Sequence, residues 1–370
     1  MQTKNIVIGA GALGLASAEA LLRQGGEVTL LERIQVGQES SWAGGGILSP
    51  LCPWDYPDAV TRLALRGAAL FGDWAQALYN ATGIDPEYQR CGMLVLPPFD
   101  VELARHWCES HGVRLEQKDS SFPRKRESSL INSLDSRPRG NDEFEKGLFL
   151  PEIAQARNPR LLQSLRARVE QLGGRIVEQC EVEEVVAEAG RVKHLATTQG
   201  DFSADTYIVT AGAWSKKLLG EHALQLDVKP IRGQMLLFKF DTPPLPHIVL
   251  QKDLYLIPRR DGHLLVGSTL EDVGFDKSTT DDARERLLQC AITLLPVLRE
   301  MPVVKHWAGL RPASPGNIPT IGRHPHLQNL YINSGHFRYG VTMATASVEV
   351  LLNEMNGTPQ QLDVSPYQWR

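Results

Sequence analysis

Apolar positions fall into two periods along the chain. Asn5-Ile6-Val7-Ile8 is a short continuous apolar run and predicts a buried strand. Residues 15–24 then carry apolar side chains at helical spacing, and Val28-Thr29-Leu30-Leu31 predicts a second strand that ends on Glu32. Amphipathic spacing predicts helices over 62–79, 160–172 and 281–294. Strands of a second sheet are predicted at 92–96, 234–238 and 263–267. Residues 204–215 read as a strand that ends in a small-residue turn and enters a helix. Leu330-Tyr331-Ile332-Asn333 predicts another strand, followed by a turn over 334–340 and a helical stretch over 341–353. No internal repeat is visible.

The first strand runs directly into Gly9-Ala10-Gly11-Ala12-Leu13-Gly14, a G-x-G-x-x-G turn at the mouth of a helix. Strand, glycine turn, helix, strand and acid in that order form a dinucleotide-binding context. Gly9 permits the tight turn, Gly11 lets a pyrophosphate approach the backbone, and Gly14 lets helix and strand pack closely. The helix start offers free N–H groups and a positive dipole end to phosphates. Glu32 can accept from ribose hydroxyls and would repel a 2′-phosphate. A strand–helix turn without ligand is the plainer alternative. The turn alone does not separate NAD from FAD. Beyond Glu32 the chain carries Glu39-Ser40-Ser41-Trp42-Ala43-Gly44-Gly45-Gly46-Ile47-Leu48 rather than another strand–helix unit. Such small residues let backbone lie against a flat, bulky group, although a glycine-rich surface loop would look the same.

The 370 residues suffice for a large core and two domains. A net charge of −4 gives no reason to expect nucleic acid or an anionic membrane as partner. No run approaches the roughly 18 apolar residues of a spanning helix, and the chain enters its first strand too early to leave room for a signal peptide. Five scattered cysteines, without C-x-x-C, read as reduced thiols of a cytoplasmic protein. The histidines lack metal-site spacing, so no metal is expected.

Taken together, these segments resemble the D-amino-acid oxidase family of flavoproteins, most closely its glycine oxidase branch. The resemblance also rests on Thr210-Ala211-Gly212-Ala213-Trp214-Ser215, Tyr255-Leu256-Ile257-Pro258-Arg259 and Trp307-Ala308-Gly309-Leu310-Arg311-Pro312. Ile321-Gly322-Arg323 and Gly335-His336-Phe337-Arg338-Tyr339-Gly340 complete the set, in family order over nearly the whole chain. It implies an α/β fold in which a discontinuous Rossmann-like FAD domain (1–90, 155–222 and 308–370) joins an α+β substrate domain. The latter (91–154 and 223–307) is built on a mainly antiparallel sheet. FAD would be held by Gly9, Gly11, Ala12, Leu13, Gly14, Glu32, Arg33, Ser40, Ser41, Gly45, Gly46, Ile47, Val182 and Gly212. His336, Phe337, Arg338, Tyr339, Gly340, Val341 and Thr342 would close the other side. Ala313 and Ser314 stand where some members attach flavin through cysteine, so the FAD is expected to be non-covalent.

By the same resemblance, Arg311 holds the substrate carboxylate, Tyr255 adds a second bond to it, and Arg338 contacts substrate or cofactor. Without the family, Arg311 would read as a surface ion pair and Tyr255 as a strand aromatic. The implied reaction passes a hydride from a neutral amino acid to flavin N5, with no protein acid–base pair required. Dioxygen becomes hydrogen peroxide, and the imine becomes glyoxylate and ammonia or feeds thiazole synthesis for thiamine. Homotetramers are common in the branch. Two rivals remain, a D-amino-acid or sarcosine dehydrogenase using another acceptor and a flavin-binding module without catalysis. Residues 120–147, polar and broken by Pro and Gly, depart from the family and read as a flexible insertion rather than a basic nucleic-acid patch.

Overall fold

The computed structural model describes residues 2–119 and 146–370. Strand Lys4–Ile8 lies inside a six-stranded sheet ordered Thr320–Arg323, Leu330–Ser334, Thr206–Val209, Lys4–Ile8, Glu27–Leu31, Arg175–Val177. Every neighbouring pair is parallel except the first. Such a sheet is covered on both faces, which is why its strands read as continuous apolar runs. Val7 points into a core shared with helices Ala12–Arg23, Asp58–Thr82, Asn158–Gln171 and Gly340–Asn356. Ile6 and Ile8 point the other way, towards a layer made by strands Val182–Glu188, Arg191–Thr197 and Gly200–Phe202.

A second sheet has eight strands, ordered Lys305–Ala313, Lys229–Lys239, His263–Gly267, Leu254–Pro258, Ile248–Gln251, Met93–Leu96, Lys146–Leu150, Glu116–Asp119. It is antiparallel apart from the pairing of Ile248–Gln251 with Met93–Leu96. Helix Asp281–Leu294 packs Leu287 and Ala291 against Leu236 and Phe238 on one face. Helix Val101–His111 packs Ala104 and Trp107 against Met93 and Val95 on the other. The α/β fold with a largely antiparallel second sheet therefore stands as the sequence suggested.

Element ends follow local chemistry. Helix Asp281–Leu294 matches its expected bounds because Thr280 accepts from the Ala283 N–H and two aspartates occupy the first turn. The helix expected over 62–79 runs from Asp58 to Thr82 and stops at Gly83, whose φ is 72°. The helix expected after Trp214 is only Ser215–Leu219. Strand Lys305–Ala313 crosses position 308, where a domain boundary was expected, and pairs with Lys229–Lys239 of the second sheet along its whole length.

The insertion expected over 120–147 falls outside the described residues except at its end, where a correction is needed. Lys146 and Gly147 belong to strand Lys146–Leu150 and pair with Asp119 and Lys118. Among the described residues, no helix is long and apolar enough to cross a membrane. Nor do three or more His, Cys, Asp or Glu groups converge as metal ligands there.

Candidate functional site

A cavity of about 460 Å³ opens at the carboxyl ends of the parallel strands, against the second sheet. Gly9 has φ +103°, and a Cβ there would sit 2.9 Å from the Thr210 carbonyl oxygen. Helix Ala12–Arg23 starts at Gly11 without a side-chain cap from that residue. The Ala12 N–H donates to Ser41 Oγ at 3.0 Å, and the next first-turn N–H groups have no acceptor one turn back. Gly11, Ala12 and Leu13 line the cavity. Gly14 does not; a Cβ there would overlap the Gly9 carbonyl, so its work is the close helix–strand approach.

Glu32 lies in the wall with both oxygens engaged, accepting from the Ala10 N–H at 2.8 Å and the Ile34 N–H at 3.1 Å. Burial raises its pKa, and those two bonds oppose the rise. Arg33 donates to Glu39 at 3.0 Å and stacks 4.4 Å over Trp214. From the loop between strand His263–Gly267 and helix Asp281–Leu294, Lys277 reaches Glu39 at 2.7 Å and Phe275 packs 5.4 Å from Trp214. One end of the cavity is thus clasped across the two layers. Val182 and Gly212 complete that end.

Ser40, Ser41, Gly45, Gly46 and Ile47 form the next stretch of wall. A Cβ at Gly45 would sit 2.5 Å from Ile257 Cδ1, and Gly46 has φ +72°. Asn158 Nδ2 donates to the Ser41 carbonyl at 2.7 Å and fixes this segment. Across the cavity lie His336, Phe337, Arg338, Tyr339, Gly340 and Val341, the last two opening helix Gly340–Asn356. Two helix starts therefore face one cavity. Thr342 stands outside the wall and donates to the Ile47 carbonyl at 3.1 Å. Burial drives the His336 pKa down to about 3, so the ring is neutral, 2.8 Å from Ser347 Oγ. The hydroxyls of Tyr339 and Tyr56 pair, and burial pushes the Tyr339 phenol well above its usual range.

Arg311, Tyr255 and Arg338 all line the same cavity. Arg311 donates from Nη2 to Ser268 Oγ at 2.7 Å and from Nη1 to the Thr269 carbonyl at 3.2 Å. Among the described residues no carboxylate pairs with it. Burial lowers its pKa, with Tyr255 opposing the shift. A half-buried guanidinium with neutral partners and spare N–H donors suits an anion. Arg338 differs, since Nη1 pairs with the exposed Asp253 at 3.1 Å.

Several supporting residues escaped sequence reasoning. A Cβ at Gly233 would overlap the Arg311 guanidinium, so that glycine makes room for it. It precedes the strand expected over 234–238 and lies inside the observed strand Lys229–Lys239, where a glycine marks close approach. Ser268, Thr269, Asn158 and Lys277 gave no comparable signal, because each meets the site through distant pairing.

A model of the DAO family, described as FAD dependent oxidoreductase, matches residues 4–353. The chain is 42% identical over 368 residues to a glycine oxidase of Pseudomonas aeruginosa, covering 99% of this chain and 98% of that one. It is 40% identical to a glycine oxidase of Pseudomonas putida with the same coverage. The crystal structure of glycine oxidase from Geobacillus kaustophilus is similar with a TM-score of 0.87, at 23% identity, over 100% of this chain and 99% of that one.

Proposed function

The chain belongs to the DAO family of FAD-dependent oxidoreductases, and on that premise we propose that it oxidises glycine, or another small α-amino acid, with dioxygen. The balanced reaction is glycine, dioxygen and water to glyoxylate, ammonia and hydrogen peroxide. The observation that carries this reading is Arg311, a half-buried cation in the wall of the cofactor cavity with no counter-charge among the described residues.

The residues present fit FAD. Gly9, Gly11 and Gly46 leave backbone approaches that a Cβ would block or strain, and helix Ala12–Arg23 starts beside them with no side-chain cap from its own first residue. Glu32, in the cavity wall, would accept from a ribose, and the segments at Ser40–Ala43 and 45–47 would support a flat ring. When bound, FAD accepts the hydride and returns the electrons to dioxygen. The start of helix Gly340–Asn356 turns its positive end to the cavity and would favour developing negative charge there.

Arg311 would grip the substrate carboxylate with its remaining N–H donors, a geometry that suits a planar fork. Tyr255, buried in strand Leu254–Pro258, stands beside it to add its hydroxyl. Held at that end, the α-carbon is presented to the cavity and catalysis comes from positioning. His336 is neutral and tied to Ser347, so the substrate amine must arrive neutral rather than be deprotonated there. In the same reading the enzyme works in the cytoplasm as a homo-oligomer, tetrameric like its branch, and its imine can pass onward to thiazole synthesis. A substrate panel under air tests the proposal. Peroxide should form with glycine and fall off as side chains grow; peroxide from none of glycine, sarcosine and D-alanine would refute it.

A further inference from the structure

A second cavity, of about 50 Å³, lies behind the wall of the first. Helix Asp58–Thr82 contributes Ala64 and Ala68, the end of helix Val101–His111 is followed by Val113, and strand Lys146–Leu150 contributes Leu150. Its roof is the segment 48–50. That segment is one chain thick, for Ser49 lines both cavities and Leu51 lines the larger. Leu51 also contacts Tyr339 through its backbone, which puts the shared wall at the end of the main cavity that holds Tyr339.

The surface facing this void is almost all carbon. Thr61 and Trp107 border it, yet Thr61 Oγ1 and Trp107 Nε1 are fully enclosed and have no hydrogen-bond partner. A void of this size has room for water, but water needs two to four polar partners, and an apolar cavity stays dry and takes up apolar gases instead. We propose that this cavity is a dioxygen site, from which the gas crosses the 48–51 segment into the catalytic cavity. Oxidase turnover consumes one dioxygen for each amine oxidised, and dioxygen is uncharged, apolar and small enough for the void. The inference rests on the oxidase reading, but not on which amine is the substrate.

The test fills the cavity from two elements, with Ala68→Leu and Val113→Phe, so that one poorly folding variant does not decide the matter. Photoreduced holoenzyme is mixed with aerated buffer, and reoxidation is followed by flavin absorbance. Both fillings should slow second-order reoxidation, while the rate of anaerobic reduction by glycine stays unchanged. In xenon-pressurised crystals, one xenon should occupy this cavity in the native protein and be absent from the filled variants. Ordered water in place of xenon, or native reoxidation rates in a folded filled variant, would overturn the proposal. Failure of the oxidase reading looks different: reduced native enzyme would then survive in air before any variant is made.

Discussion

Replacing Arg311 by Met separates binding from folding more sharply than any other change. The guanidinium is half-buried, its two protein bonds go to the neutral Ser268 Oγ and Thr269 carbonyl, and no carboxylate balances it among the described residues. Truncating one partner of a buried charge pair costs about 2–5 kcal/mol. At about 1.4 kcal/mol per tenfold change, that weakens glycine binding about 30- to 4,000-fold. Substrate-free holoenzyme should respond in the opposite sense. An uncompensated buried charge is a liability to the fold, so an apolar residue of similar length should leave the melting temperature unchanged or raise it. The assay is anaerobic stopped-flow bleaching of the flavin against glycine concentration, which gives the dissociation constant and the reduction rate separately. Arg311→Lys should recover only part of the affinity, because an ammonium cannot form the planar fork. Gly233→Ala should weaken binding too, since its Cβ would displace the guanidinium. A glycine dissociation constant within threefold of native in Arg311→Met would refute the carboxylate role (roughly 0.7 kcal/mol, far below the expected loss).

The remaining expectations concern pH and the cofactor. Burial holds the folded His336 pKa near about 3, against roughly 6.5 in an unfolded chain. Between those values the unfolded state binds a proton that the native state refuses, so His336 removes about 1.4 kcal/mol of stability per pH unit as pH falls below roughly 6.5. Chemical denaturation at pH 7.5 and 5.5 should show a steeper loss in native protein than in His336→Gln; equal losses would contradict the linkage. In the proposed reaction the substrate amine arrives neutral, so kcat/KM for glycine should rise with pH until the amine is neutral, and a flat profile with chemistry limiting would count against this. Lys277→Ala removes the ion pair that joins the loop after strand His263–Gly267 to Glu39, so FAD should dissociate faster, read from fluorescence of released flavin, and added salt should shrink the difference. Gly14→Ala should abolish FAD retention in any protein that folds, because the Cβ would strike the Gly9 carbonyl.

Much of the fold was legible because its signals are local. A buried parallel sheet leaves unbroken apolar runs, and helix Asp281–Leu294 carries its own cap in Thr280. The glycine turn announced one end of the cavity, and the family resemblance supplied the C-terminal turn and Arg311. What stayed hidden depends on register. Strand Lys305–Ala313 sets Arg311 opposite Ile231, which brings Gly233 under the guanidinium two residues on. A one-residue slip would turn that side chain to the other face, and no local pattern fixes the pairing. The Arg33–Trp214–Phe275 stack spans three segments far apart in sequence and was equally unreadable. Gly14 and Thr342 show a subtler gap, for both belong to the motifs that build the cavity yet neither lines it.

The most direct test of the whole account is a single mixing experiment with purified yellow protein. Excess glycine, added without oxygen, should bleach the flavin completely and yield one glyoxylate per flavin, and air should restore the colour with one equivalent of peroxide. A flavin spectrum that stays oxidised through that addition would contradict it.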